Sequence, residues 1–141
     1  MTSELDGFLP ILSTSGRSPE IPESADVCGW LVGSWDLDLI RYLAADLRSE
    51  HIRGEAHFTW VLEGRAIQDV WIMPSPSDRR QDSDRTNNMY DTTLRAWDPA
   101  IQAWRIRWIN PVSGHEEHQT GRKIGGEIVQ IGARVDGTPT R

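Results

Sequence analysis

The chain has a single cysteine, Cys28, so no disulfide can form within it, and a reducing, cytoplasmic setting fits that usage. Phenylalanine and tyrosine are scarce, with two of each. Basic residues are outnumbered, 15 Lys and Arg against 21 Asp and Glu, for a formal net charge of −6. Phosphate neutralisation needs a basic face, so nucleic acid is not an expected partner. No apolar run approaches the ~20 residues that a membrane helix needs, so no membrane partner is expected either. The first residues, MTSELDGFLPILSTSGRSPEIPES, lack the basic start and long apolar stretch of a signal peptide.

What the chain does have is tryptophan, seven in 141 residues. Most fall in short runs that alternate with β-branched or aromatic residues: Trp60 in HFTWVLEG, Trp71 in IQDVWIM, Trp97 in TTLRAWDP, Trp104 and Trp108 in QAWRIRWIN. Period-two alternation marks half-buried strands. A succession of such strands with aromatics on one side predicts an all-β fold, an antiparallel up-and-down barrel with a lined interior. The length allows one domain with a real core.

The chain divides into two parts. Residues 1–23, with Pro10, Pro19 and Pro22 among Ser, Thr and Gly, read as a flexible N-terminal extension; within it Phe8, Leu9, Ile11 and Leu12 form an apolar patch. Residues 24–141 form the barrel domain. Ser24 is placed to cap a short helical turn through Leu31, with Val27, Trp30 and Leu31 facing the core. Strands are expected at about 33–42, 52–62, 65–73, 90–97, 103–110, 115–123 and 127–135, and Asp136-Gly137 is a hairpin signal for one more. The connection at 43–50 is helix-prone or an extended hairpin tip. The segment 75–88, rich in Ser, Asp and Arg, reads as a long mouth or lid loop.

Gly33-Ser34-Trp35 resembles the Gly-x-Trp signature of lipocalins and the wider calycin barrels. Together with LEGRAIQDVW, YDTTLRAWDPAIQAWRIRWINP and DGTPTR, the stretch from Trp30 to Arg141 resembles a family of bacterial lipocalin-like domains of unknown function. That resemblance implies a barrel of roughly eight to ten strands around a cavity of small-molecule size. Members of that family usually continue past the segment similar to DGTPTR with further strands. The chain is therefore expected to be truncated, lacking the last strands, with unpaired barrel edges that allow a homodimer. The resemblance also implies that a basic side chain covers the first-strand tryptophan, here with Arg122 or Arg134 as substitutes.

Trp35 is expected as a structural plug at the barrel base. Trp60, Trp71, Trp104 and Trp108 either line a cavity or fill the core. On the strand 103–110, pointing the tryptophans inward puts Arg105 and Arg107 outside, which avoids burying two cations. Arg95 shares a face with Trp97 and is the candidate inward cation, with Asp69 or Glu55 as its internal partner. Both histidines of GHEEHQT, His115 and His118, lie on a strand at a spacing that sends them to opposite faces, so no metal site is expected there. No cofactor is expected. His57 and His118 are nonetheless weighed as single axial ligands to haem, a role that the wider calycin resemblance implies. Cys28 is read as a small buried apolar residue.

The expected function is binding of a small, flat, partly apolar or anionic molecule. The candidate ligand-binding residues are Trp60, Asp69, Trp71, Arg95, Trp104, Trp108 and His118. The alternative is a cavity isomerase or cyclase in which Asp69, His57 or His118 serves as general acid or base.

Overall fold

The computed structural model describes residues 5–43, 48–79, 88–134 and 136–141. Among them, α1 (Leu5–Leu12) is followed by short 3-10 turns at Glu23–Ala25 and Gly29–Leu31 and then by eight strands: β1 (Gly33–Leu43), β2 (Arg48–Val61), β3 (Ala66–Met73), β4 (Met89–Asp98), β5 (Ala103–Asn110), β6 (His115–Ile124), β7 (Glu127–Arg134) and β8 (Pro139–Thr140). All pair antiparallel with their sequence neighbours in one sheet of order β1 to β8. The fold is all-β and up-and-down. The sheet is not closed: β1 pairs with β2 and β8 with β7, with no β1–β8 ladder among the described residues. No helix of the described chain is long and apolar enough to cross a membrane.

Turn chemistry sets the register. Between β2 and β3, Leu62, Glu63 and Gly64 all take positive φ, 54°, 54° and 82°. Gly64 is also a point of close approach, since a Cβ there would sit 2.3 Å from the Gly16 carbonyl oxygen. The Gly64 carbonyl accepts the Ser18 N–H at 2.9 Å, and the Trp60 carbonyl accepts the Thr14 N–H at 2.9 Å. Between β5 and β6, Asn110 Oδ1 accepts the Val112 N–H at 3.0 Å, the side-chain-to-backbone bond that makes Asn a turn residue.

Part of the segment read as a flexible extension is packed on the body. Ser18 and Ile21 are buried, and Ile21 joins Val27, Cys28, Phe58, Trp60, Ile67, Trp104 and Ile106 in one core cluster. The Trp104 indole donates to the Ala25 carbonyl at 2.8 Å. Residues 18–28 thus close off the end of the sheet that carries the β2–β3 and β4–β5 turns. Burying the apolar ring of Trp104 and capping its N–H on the same segment satisfies both ends of an amphipathic side chain. The Phe8, Leu9, Ile11 and Leu12 side chains of α1 remain exposed.

Two expectations are corrected on the open side. Trp30 is 68% exposed and Trp35 41% exposed rather than buried. Trp35 does point to the inner side of the sheet, in register with Ala56, but β1 is an open edge among the described residues, paired with β2 alone. Its ring meets Trp30 edge-on at 6.4 Å, and its indole donates to the Leu31 carbonyl at 2.7 Å. Neither arginine named for it serves as its cover: Arg122 donates to the Ile101 carbonyl, and Arg134 lines a cleft with Trp108.

β2 begins at Arg48, inside the connection expected at 43–50, of which residues 44–47 lie outside the described residues. The expected mouth loop contains a 3-10 turn at Pro76–Asp78, and residues 80–87 of it lie outside the described residues.

Candidate functional site

Strand pairing sorts the inward side chains into rows. One row runs Phe58, Asp69, Thr93, Trp108, Glu117 and Arg134 across β2 to β7. The next row toward the closed end runs Trp60, Ile67, Arg95, Ile106, Gln119 and Gly132. Toward the other end, Trp35, Ala56, Trp71 and Asp91 form a third row. On β4 alternation places Asp91, Thr93, Arg95 and Trp97 on one face.

The closed end is apolar and filled. Trp104 is 1% exposed and contacts Trp97 at 5.7 Å and Trp60 at 6.5 Å between ring centroids. Trp60 and Trp104 are therefore core. Trp71 packs edge-on against Phe58 at 6.1 Å and is only partly buried, as is Trp108.

Above this floor lies a charged pair. Asp69 is 0% exposed. One of its oxygens accepts the Thr93 backbone N–H at 2.8 Å, and the other accepts from Arg95 Nη1. Reaching from its own row into that of Asp69, Arg95 brings its guanidinium 5.9 Å from the Phe58 ring centre. Of the two partners weighed for Arg95, the structure selects Asp69. Glu55 faces outward beside His57, with 3.5 Å between its Oε1 and Nε2 of the ring.

Asp91, a residue that sequence reading left unassigned, completes the cluster. It is 4% exposed. Burial pushes its carboxyl above the usual range, opposed by the nearby Trp108 indole and reinforced by the negative charge of Asp69. Among the described residues, Asp91 Oδ1, Arg95 Nε and, away from this cluster by the Tyr90 ring, Arg79 Nη2 are buried without a hydrogen-bond partner. The signal for Asp91 was present in the parity of β4, where it falls two and four residues before Thr93 and Arg95.

Beside Trp108, a half-open cleft of about 190 Å³ is lined by Trp108, His115, Glu116, Glu117 and Arg134. The His115 ring lies 6.4 Å from the Trp108 ring.

The structure brings six of the seven candidate residues to the inner side and separates the seventh. His118 lies on the outer face, exposed, with Nε2 2.6 Å from Glu116 Oε1. The reason is parity: its neighbours Glu117 and Gln119 take the inward positions opposite Trp108 and Ile106. His57 is outside for the same reason, with Nδ1 2.8 Å from Ser34 Oγ. Neither histidine shares a face with the tryptophans. Arg105 and Arg107 are exposed, and Arg105 pairs with Asp98 at 2.6 Å. Cys28 is buried, and burial pushes its thiol up, away from the reactive thiolate.

Compared with known proteins, the chain matches no family model, no curated protein and no solved structure.

Proposed function

We propose that this protein is a lipocalin-like binding module that holds a small, flat, partly apolar molecule against its inner face, between Trp71, Arg95 and Trp108. The observation that carries the reading is that two of the three buried, unpartnered polar atoms among the described residues, Asp91 Oδ1 and Arg95 Nε, belong to the inner face that carries the aromatic rings. Buried polar atoms are nearly always satisfied, and leaving one unpaired costs about 1–3 kcal/mol. A ligand that supplies both bonds recovers that cost. Aromatic walls with a few convergent polar groups are the usual composition of a small-molecule site. A cytoplasmic location accords with the lone cysteine.

Native mass spectrometry of the purified chain tests this reading. Extra mass retained by the native protein and lost on denaturation supports it, with Trp108→Ala reducing occupancy. A ligand-free species at every expression condition overturns it. The same spectrum reads subunit count. Pairing of two copies along the open β1 edge would register as a dimer, a partnership supported by the unpaired main chain of an edge strand.

A second reading, a cavity isomerase or cyclase, is supported by one group. Asp69 has both oxygens engaged and His57 and His118 lie outside, whereas Asp91 is buried on the inner face with a raised carboxyl, as a general acid requires. Recovery of the retained molecule as a chemically altered product after incubation would favour it.

A further inference from the structure

We propose that the outer face carries a second site, an esterase centre at the open edge of the sheet. Ser34 is its nucleophile, His57 the base, and Glu55 the residue that positions the base. The substrate class is a neutral ester with a short apolar acyl group. This site lies on the opposite side of the sheet from Trp71, Arg95 and Trp108 and does not depend on ligand binding there. Three side chains carry the proposal first. In the β1–β2 register Ser34 stands opposite His57, and Glu55 shares the outer face two residues away. Ser34 Oγ lies 2.8 Å from His57 Nδ1. The other ring nitrogen, Nε2, lies 3.5 Å from Glu55 Oε1. A carboxylate beside Nε2 favours the proton on that nitrogen and leaves Nδ1 to accept from the serine hydroxyl. A hydroxyl, a base and a group that orients the base are the parts of an activated nucleophile, and their contacts tighten once substrate is bound.

A main-chain donor comes second. The Trp60 carbonyl accepts from Thr14 on the side of β2 away from β3, and the Arg53 carbonyl accepts from Ser75 on the β3 side. Main-chain groups alternate in direction along a strand, so His57, of the same parity as Arg53, turns its N–H and carbonyl toward β3. Ser34 and His57 therefore form a pair without mutual main-chain bonds, the kind whose side chains approach most closely. By the same alternation the Ser34 N–H points off the open edge of β1, where no strand pairs with it among the described residues. An unpaired N–H on the nucleophile itself is placed to hold the oxyanion of a tetrahedral intermediate.

The groove comes third. Ser34 and His57 line a groove of about 550 Å³ together with Leu12, Val32, Val61 and Val70, and none of its lining residues is Asp, Glu, Lys or Arg. Apolar walls beside a reacting hydroxyl suit an acyl chain, and the lack of charge suits a neutral ester. In the reaction His57 takes the Ser34 proton as Oγ bonds to the ester carbonyl carbon. The intermediate expels the alcohol, which takes that proton from His57. Water then attacks the acyl-serine with His57 again as base, releasing the acid and restoring Ser34.

The test is labelling of the full chain with an alkyl fluorophosphonate, read by peptide mass spectrometry, alongside hydrolysis of p-nitrophenyl acetate and butyrate. One adduct is expected, on Ser34, and it is lost in His57→Ala. Ser34→Ala and His57→Ala are each expected to lower kcat/KM about a hundredfold or more. Both positions are exposed, so the fold tolerates the changes. Glu55→Gln is expected to lower kcat with little change in KM, and Glu55→Asp to restore part of the loss. Val70→Asp, on the groove wall, is expected to reduce butyrate hydrolysis more than acetate hydrolysis. No adduct, or an adduct on another residue, overturns the proposal. Hydrolysis that survives in Ser34→Ala also overturns it, since that is the behaviour of a surface imidazole acting alone. Equal loss of both esters in Val70→Asp overturns the groove as the acyl site.

Discussion

Asp69 and Arg95 meet on the inner face of the sheet, the aspartate fully buried and the arginine nearly so. They come from adjacent strands and from neighbouring rows, so the arginine side chain bridges one row to the next. Two charges in so dry a place cost desolvation energy that their attraction only partly offsets. Breaking the pair is therefore worse than removing it. Arg95→Met alone should lower stability by about 3–5 kcal/mol, whereas Asp69→Leu with Arg95→Met should recover most of that loss. Urea denaturation of the two single variants and the double variant reads the coupling directly. Additive losses would mean that the pair does not act as a unit.

The pH dependence of stability should expose Asp91. Its carboxyl is raised in the folded chain, so between the ordinary Asp value and that raised value the native state holds more protons than the unfolded state. This contribution to stability is present at low pH and is lost as pH rises through the folded value. Asp91→Asn removes the titration. The variant should be more stable than the parent at pH 7, and its advantage should fade as pH falls from the raised folded value to the ordinary Asp range. Parallel denaturation curves across pH check this, and an advantage that grows toward acid would reverse the assigned sign. A residue that costs stability in the empty protein is what a binding site often requires.

The segment 18–28 belongs to the core, and single substitutions separate it from α1. Ile21→Ala should cost about 2–5 kcal/mol, the usual range for a large-to-small change at a fully buried site. Ile11→Ser, on exposed α1, should stay within about 0.5 kcal/mol of the parent. Thermal melts of the two variants distinguish a docked segment from a loose one.

Tryptophan positions divide the same way. Trp104→Ala should lose about 3–5 kcal/mol because the ring is enclosed by Trp60, Trp97 and Ile106. Trp35→Ala should lose far less, since its ring lies on an uncovered edge. Equal losses would place Trp35 in a better-packed environment than the open sheet provides.

Much of this architecture was legible because a strand has a period of two. The alternation Trp104, Ile106, Trp108 correctly sends Arg105 and Arg107 outward, and the parity of Arg95 with Trp97 sends that arginine inward to Asp69. Strand limits came within a few residues wherever Gly, Pro or Asp-Pro marked a turn. Three things were not legible. Periodicity gives the side of the sheet but not whether anything covers that side, so Trp35 points inward and yet is exposed. The proline-rich start carries no period at all, so the burial of Ile21 depends on a core cluster drawn from strands far along the chain. His118 was nominated for its chemistry against the parity of its own strand, whereas Asp91, on the right parity, carried no familiar motif to single it out.

The most direct test of the account is to watch the seven indole N–H signals while a small, flat aromatic probe, benzyl alcohol, is added. The account predicts that Trp108 and Trp71 shift in a saturable manner, while Trp30 on the exposed edge and Trp104 in the filled core do not. Saturable shifts confined to Trp30 and Trp35, or no saturable shift of any inner tryptophan, would contradict it.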